Sequence, residues 1–176
     1  LYITLEMAEE RIAERIDANL FDVTIDDLHV MPKELYDNKV KKLENKTNGQ
    51  LIIKEYPTAS AHSGHFKSLL NELALKKSFR PNVIFIDYLN ICASSRFRGG
   101  NISSYFYIKA IAEELRGLAV EFDVPIFSAT QTTRTGYVST DIGLEDTSES
   151  FGLPATADFM FALMSNEELE GLGQMK

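Results

Sequence analysis

Five short apolar runs punctuate the chain: Tyr2 to Leu5, Leu51 to Tyr56, Val83 to Leu89, Pro125 to Thr130 and Phe159 to Met164. Runs this short and rich in Ile, Val, Phe and Tyr predict strands. Between them the apolar spacing becomes helical. Ala8, Ile12, Ile16 and Leu20 recur every four residues on a first helix, with Arg11 and Arg15 on another face. Pro32 suits the first turn of a second helix carrying Leu35, Lys39, Val40 and Leu43, which ends near Asn48-Gly49. Phe66, Leu69, Leu70 and Leu73 predict a third. The widest apolar stripe, Ile108, Ile111, Ala112, Leu115, Leu118, Ala119 and Phe122, predicts a helix lying on the sheet.

Strands alternating with helices imply an α/β fold, a mostly parallel central sheet flanked by helices with right-handed crossovers. At 176 residues and 44% hydrophobic, the chain is long enough for one such unit with a real core. Val83 to Leu89 has the continuous apolarity of a central strand covered on both faces, with Asp87 at its C-terminal end. Two long loops, Ala93 to Ser104 and Thr132 to Thr147, leave the C-terminal ends of the third and fourth strands. That edge is where open α/β sheets bind ligands.

Charge and composition then narrow the function. The formal net charge of −8 argues against a protein that coats nucleic acid nonspecifically, and leaves room for a local basic patch. A single cysteine, Cys92, excludes an internal disulfide and predicts a buried thiol in a reducing compartment. No apolar stretch reaches membrane-spanning length and no signal-peptide pattern opens the chain, so a soluble, cytoplasmic protein is expected. The chain opens on a strand pattern without an initiator Met, Leu1-Tyr2-Ile3-Thr4-Leu5-Glu6, which predicts that it begins inside a larger protein.

Three polar residues fall on the same predicted sheet edge: Glu6 after the first strand, Asp87 after the third and Gln131 after the fourth. A site that hydrolyses a nucleoside triphosphate needs a carboxylate to position a metal, a group to orient the attacking water and a polar group to sense the terminal phosphate. Asp87, Glu6 and Gln131 suit those roles in that order. Each also has a simpler account: Asp87 as a turn former, Glu6 as a helix-dipole partner and Gln131 as an ordinary loop residue. Singly the simpler accounts are better; together the site is.

At these residues the sequence resembles a known family. Leu5-Glu6-Met7 followed by a helix, Ile86-Asp87-Tyr88-Leu89, Ser128-Ala129-Thr130-Gln131, and Glu149-Ser150-Phe151-Gly152 through Ala157-Asp158-Phe159 resemble consecutive motifs of the DnaB-like replicative helicases. The stretches Ala110 to Arg116 and Gly152 to Phe159 look most like the branch of that family found in T-even bacteriophages. The ordered set, covering nearly the whole chain, is more specific than any one motif.

The resemblance implies a RecA-like P-loop NTPase core that uses ATP and Mg2+. Carried over residue by residue, it makes Glu6 the catalytic carboxylate that polarises water. Asp87 becomes the Walker B residue, acting on magnesium largely through water, and Gln131 the link between the γ-phosphate and the DNA-facing loop. It further implies a homohexameric ring around single-stranded DNA, 5′ to 3′ translocation, partnership with primase and a helicase loader, and the cytoplasm of a host cell. The family's DNA-binding loops correspond to Ala93 to Ser104 and Thr132 to Thr147. The first offers Arg96 and Arg98 with no acidic residue, flanked by Asn101, Ser103 and Ser104. Arg and polar side chains bind backbone phosphates without reading base identity, as a translocating motor requires. Arg134 in the second loop is weaker, because Asp141, Glu145 and Asp146 follow it. Arg96 and Arg98 as mere solvation of a surface turn carry nearly equal weight.

The departure from the family is as informative. The P-loop signature Gly-x-x-x-x-Gly-Lys-Ser/Thr is absent, since no Gly in the chain is followed by Lys. Its strand is expected before Leu1, and the family's arginine finger beyond Lys176. The expectation is therefore one partial RecA-like domain over residues 1–176, truncated before the Walker A strand and near the C-terminus, with little or no ATPase activity alone. Two alternatives stand beside the helicase motor: a noncatalytic RecA-like assembly or nucleic-acid-binding module, and a RecA/RadA-type recombinase ATPase. Among the histidines, His62 and His65 are close in sequence, but their setting in Ala61-His62-Ser63-Gly64-His65 before a helix supplies no third metal ligand and suits solvent-exposed cap positions. Tyr105, Phe106 and Tyr107, beside the basic loop, suit base stacking or, more simply, the first turn of a packed helix.

Overall fold

Ile3, Ile84 and Ile86 are fully buried on neighbouring strands, and the sheet is built outward from them. A computed structural model of the chain describes residues 1–97, 102–132, 143, 152–166, 169 and 171–173. Four strands, β1 (Tyr2–Thr4), β2 (Ile53–Glu55), β3 (Ile84–Asp87) and β4 (Ile126–Ser128), form one sheet in the order β2-β1-β3-β4. All three pairings are parallel, with Ile3 opposite Ile86 and Thr4 opposite Asp87. Helices accompany them: α1 (Glu9–Phe21), α2 (Ile25–His29), α3 (Lys33–Glu44), α4 (Ser63–Lys77), α5 (Ser104–Phe122) and α6 (Gly152–Thr156), with a short 3-10 turn at Leu89–Ile91.

The core forms where the periodicities predict it. Phe66, Leu69, Leu70 and Leu73 of α4, and Ile108, Ile111, Leu115 and Leu118 of α5, join Ile3, Ile84 and Ile86 in one buried cluster. On a strand, alternate residues face opposite sides, so Tyr2, Phe85 and Phe127 share the other face. There Phe85 stacks between Tyr2 and Phe127, yet it remains 41% exposed. The expectation that this strand is covered on both faces is therefore corrected. Among the described residues, one face is sealed and the other only partly covered.

The fifth strand is the second correction. Residues 159–164 form no strand, and Phe159, Phe161 and Leu163 are exposed. Apolarity makes a segment favour burial, but a strand also needs a neighbouring edge to satisfy its N–H and C=O groups, and no pairing reaches these residues. The apolar face of α1 also differs, because Ile12, Ala18 and Phe21 are buried while Leu20 is exposed. The short α2 was not anticipated, although its signal is present: Thr24 caps it, accepting from the Asp27 N–H at 3.0 Å and donating to Asp27 Oδ2. Helices α1, α4 and α5 end at Asp22, Ser78 and Asp123, each in the left-handed conformation that usually advertises itself as Gly.

His62 and His65 act as the caps expected of them. His62 Nδ1 accepts from the Gly64 N–H at 3.0 Å, and the His62 N–H donates to His65 Nδ1 at 3.2 Å. Arg116 of α5 donates to the Thr156 carbonyl at 2.8 Å and pairs with Asp158 at 2.7 Å, tying α6 and the residues after it to the core helix. Among the described residues no helix is long and apolar enough to cross a membrane.

Candidate functional site

Parallel pairing gives all four strands a common C-terminal edge, and Glu6, Asp87 and Gln131 lie along it. Glu6 stands two residues beyond β1, Asp87 closes β3, and Gln131 follows β4 by three residues. The turn that carries Glu6 is closed by Thr4, whose side chain is fully buried. Thr4 Oγ1 donates to the Met7 carbonyl at 2.8 Å and accepts from the Met7 N–H at 3.1 Å, leaving Glu6 exposed on the outside of the turn. Thr58 Oγ1 donates to the Leu5 carbonyl at 2.6 Å, and the Leu5 N–H donates to the Asp87 carbonyl at 2.9 Å. The backbone on both sides of Glu6 is thus pinned to its neighbours. Glu9 completes the arrangement by accepting from the Glu55 N–H at 2.9 Å and from Lys54 Nζ at 3.2 Å.

Asp87 is half-buried, and its Oδ2 accepts from the Tyr2 hydroxyl at 2.8 Å. Burial, and then the hydrogen bond to Asp87, push the Tyr2 hydroxyl well above the usual phenolic range, so it stays a donor at any physiological pH. Among the described residues Asp87 has no ion-pair partner. Its carboxylate is held by a neutral donor, the Tyr2 hydroxyl. The Asp87-Tyr88 peptide is cis. Tyr88 Oη accepts from Gln131 Nε2 at 3.2 Å, and the Leu89 N–H donates to the Ala129 carbonyl at 3.2 Å. Asp87 and Gln131 are therefore linked through Tyr88, the residue between strand and loop, a connection that no spacing in the sequence signals.

The first long loop starts from a well-defined root. Arg96 Nη1 pairs with Glu113 Oε2 of α5 at 2.5 Å, with the two side chains 50% and 38% exposed. The loop contains no acidic residue of its own, but α5 returns alongside and supplies one. Arg96 is consequently not the bare cation that the loop's sequence suggests. Glu114, the next residue of α5, was not anticipated as part of a site. It accepts from the Ser63, Ser94 and Ser95 hydroxyls and from the backbone N–H groups of Ser95 and Arg96. A helical acid beside an apolar stripe, facing two consecutive serines, was the available signal.

Tyr107 packs against the core, and its hydroxyl accepts from the Ser94 N–H at 3.1 Å, whereas Phe106 is exposed. Cys92 is buried, and burial together with the nearby Glu114 charge pushes its thiol up to about 12. Arg98 and Arg134 lie outside the described residues, as do Gly99-Gly100, Asn101, Gly136, Asp141, Glu145 and Asp146.

The chain is 49% identical over 177 residues to the DnaB-like replicative helicase of Enterobacteria phage T4, covering 99% of this chain and 37% of that protein. It is 32% identical over 135 residues to a probable plasmid replicative DNA helicase of Chlamydia trachomatis, covering 76% of this chain and 28% of the relative. The chain thus spans well under half the length of these relatives. Among solved structures, a DnaB-like replicative helicase studied with its interactions with primase superposes with a TM-score of 0.75 at 19% identity, over 97% of this chain and 41% of that one. An ATPase domain superposes equally well, at 18% identity over 97% of this chain and 61% of the other. These structural likenesses bear out the expected fold class, a RecA-like core. Residues 1–170 match the model of the DnaB-like helicase C terminal domain, and the chain belongs to that family.

Proposed function

We propose that this chain is a partial RecA-like domain, spanning residues 1–176, of the ATP-driven motor of a ring-shaped replicative helicase. The motor translocates on single-stranded DNA and unwinds duplex. The observation that supports this most directly is the common sheet edge carrying exposed Glu6, half-buried Asp87 and Gln131, with Asp87 and Gln131 joined through Tyr88.

The setting of each residue supports its proposed role. Glu6, on a turn pinned by Thr4 and Thr58, orients the attacking water and accepts its proton. Asp87, a carboxylate with no ion-pair partner among the described residues, suits a hard cation bound largely through water. Magnesium, when bound there, supplies charge neutralisation at the phosphates. Gln131 senses the terminal phosphate and passes the change to the loop beginning at Thr132. Arg96, with Arg98 and Arg134, binds DNA phosphates. No Gly-Lys pair exists in the chain, so its own residues supply the acidic and polar half of the site, and the isolated 176-residue chain has little or no ATPase activity. A homohexamer, partnership with primase and a helicase loader, and a cytoplasmic setting belong to the same proposal.

The test uses the full-length protein carrying Glu6→Gln. Nucleotide binding persists while steady-state ATP hydrolysis stops. Normal hydrolysis by that variant removes the catalytic assignment. Tight single-stranded DNA binding by the full-length wild type with no turnover under any condition favours the noncatalytic module instead.

A further inference from the structure

Glu114 takes no part in the roles assigned above, yet its carboxylate accepts six hydrogen bonds among the described residues. Each of these six donors is neutral. Ser63 Oγ reaches it at 2.8 Å from the first residue of α4, Ser94 Oγ at 2.6 Å and Ser95 Oγ at 2.7 Å. The Ser95 N–H is shared between both carboxylate oxygens at 3.1 and 3.0 Å, and the Arg96 N–H approaches at 3.4 Å. A partly buried carboxylate without a cation is costly to desolvate, and hydrogen bonds to an ionised group are the strong kind. Here they win: burial pulls the Glu114 pKa up, but the bonds from Ser94, Ser95 and Ser63 bring it below the ordinary carboxylate range. The group is therefore ionised at neutral pH.

Among the described residues these donors come from two places, Ser63 at the start of α4 and residues 94–96 of the loop after β3. The Arg96 N–H also donates to Ser94 Oγ at 3.2 Å, closing a small turn against the same carboxylate. Two consecutive backbone N–H groups aimed at one acceptor determine the direction in which the chain leaves residue 96. They also determine where the Arg96 side chain starts. That guanidinium now pairs with Glu113, one residue before Glu114, and both side chains are substantially exposed, so the pair is weak and a DNA phosphate competes with it.

We propose that Glu114 is the positioning residue of the DNA-binding loop. Its carboxylate clamps the backbone of Ser95 and Arg96 to α5 and α4, so that Arg96 exchanges Glu113 for a backbone phosphate from a rigid root. This rests on the reading of residues 93–104 as a single-stranded DNA contact. Glutamine cannot replace the clamp, because its amide group turns a donor toward donors.

The experiment is a double-mutant cycle in the full-length protein, with a fluorescent oligo-dT probe titrated across a range of salt. Arg96→Ala lowers affinity and reduces the salt slope by about one. Glu114→Gln lowers affinity by about tenfold, the size expected for losing charge-assisted bonds, and reduces the slope by the same amount. The double variant is no weaker than the weaker single variant, since both act through one contact. Ser95→Ala, which removes one exposed hydroxyl and leaves the core intact, shows the same signature in smaller degree. Losses that add, or a Glu114→Gln loss with the full slope retained, overturn the positioning role and leave only a structural one. Wild-type binding by Glu114→Gln and Ser95→Ala, with Arg96→Ala impaired, overturns it too. Wild-type affinity and slope in Arg96→Ala overturn the loop reading itself, and the clamp with it.

Discussion

The Tyr2 hydroxyl donates to Asp87 Oδ2 at 2.8 Å, across the boundary between two parallel strands. In register Tyr2 stands opposite Phe85 and Thr4 opposite Asp87, so the tyrosine leans along its strand by one step on the same face to reach the carboxylate. The bond holds Asp87 in one orientation without neutralising it. Tyr2→Phe in the full-length protein raises the magnesium concentration for half-maximal ATPase by roughly threefold to tenfold, the scale of one net hydrogen bond. kcat at saturating magnesium changes little. A magnesium titration of ATPase rate checks this, and an unchanged half-saturation point removes the role.

Thr4 closes the turn that presents Glu6 with a hydroxyl buried between its own two partners. Thr4→Val keeps the shape and leaves the Met7 N–H and carbonyl without it, which costs about 1–3 kcal/mol of stability. Urea denaturation of the full-length protein measures the first effect. The turn under Glu6 loosens at the same time, so turnover falls while nucleotide affinity stays near normal; equal loss of both shows that Thr4 acts on stability alone.

The loop arginines are expected to act through charge. Replacing Arg96 and Arg98 together with Ala weakens single-stranded DNA binding and lowers the salt slope by about two, one for each lost phosphate contact. An anisotropy titration at several salt concentrations reads both quantities. An unchanged slope excludes the loop as a phosphate contact.

The attachment of α3 is pH-dependent at the alkaline end. No residue of α3 is buried; it is held by Tyr36 Oη donating to Asp17 Oδ2 at 2.6 Å, by Tyr36 edge-on to Phe21, and by Lys39 Nζ donating to the Phe21 carbonyl at 3.0 Å. The hydrogen bond to Asp17 comes first among the causes that push the Tyr36 hydroxyl up to about 12. A pKa raised on folding means that the protonated form is favoured in the folded chain. The contribution is complete below about pH 10, the unfolded value, and is lost as pH rises through the folded value. Proteolysis within residues 33–44 therefore accelerates between about pH 10 and 12 in the wild type. In Tyr36→Phe it is already fast at neutral pH and nearly flat across that window.

Local patterns reached far into this structure. Short β-branched and aromatic runs located four strands, and the helical stripes of α4 and α5 located most of the core, because burial of alternate or every third and fourth residue leaves a periodic trace. The run at Phe159 leaves the same trace without a strand, since pairing depends on an edge that the run cannot specify. Phe85 shows the related limit. Its apolarity is plain in the sequence, while its exposure depends on what covers the sheet.

The same division holds at the site. Glu6, Asp87 and Gln131 were legible because each follows a strand, and in a parallel sheet all strands end on one edge. Sequence alone therefore determined which residues share that edge, the family they resemble, and the absence of a Gly-Lys pair from the chain. Only the tertiary structure decided their partners: Tyr2 on Asp87, Tyr88 under Gln131, Glu113 against Arg96 and Glu114 beneath the loop. Those contacts join residues 17 to 85 positions apart, or depend on the orientation of a single side chain. Chain folding, not local periodicity, sets distances of that kind.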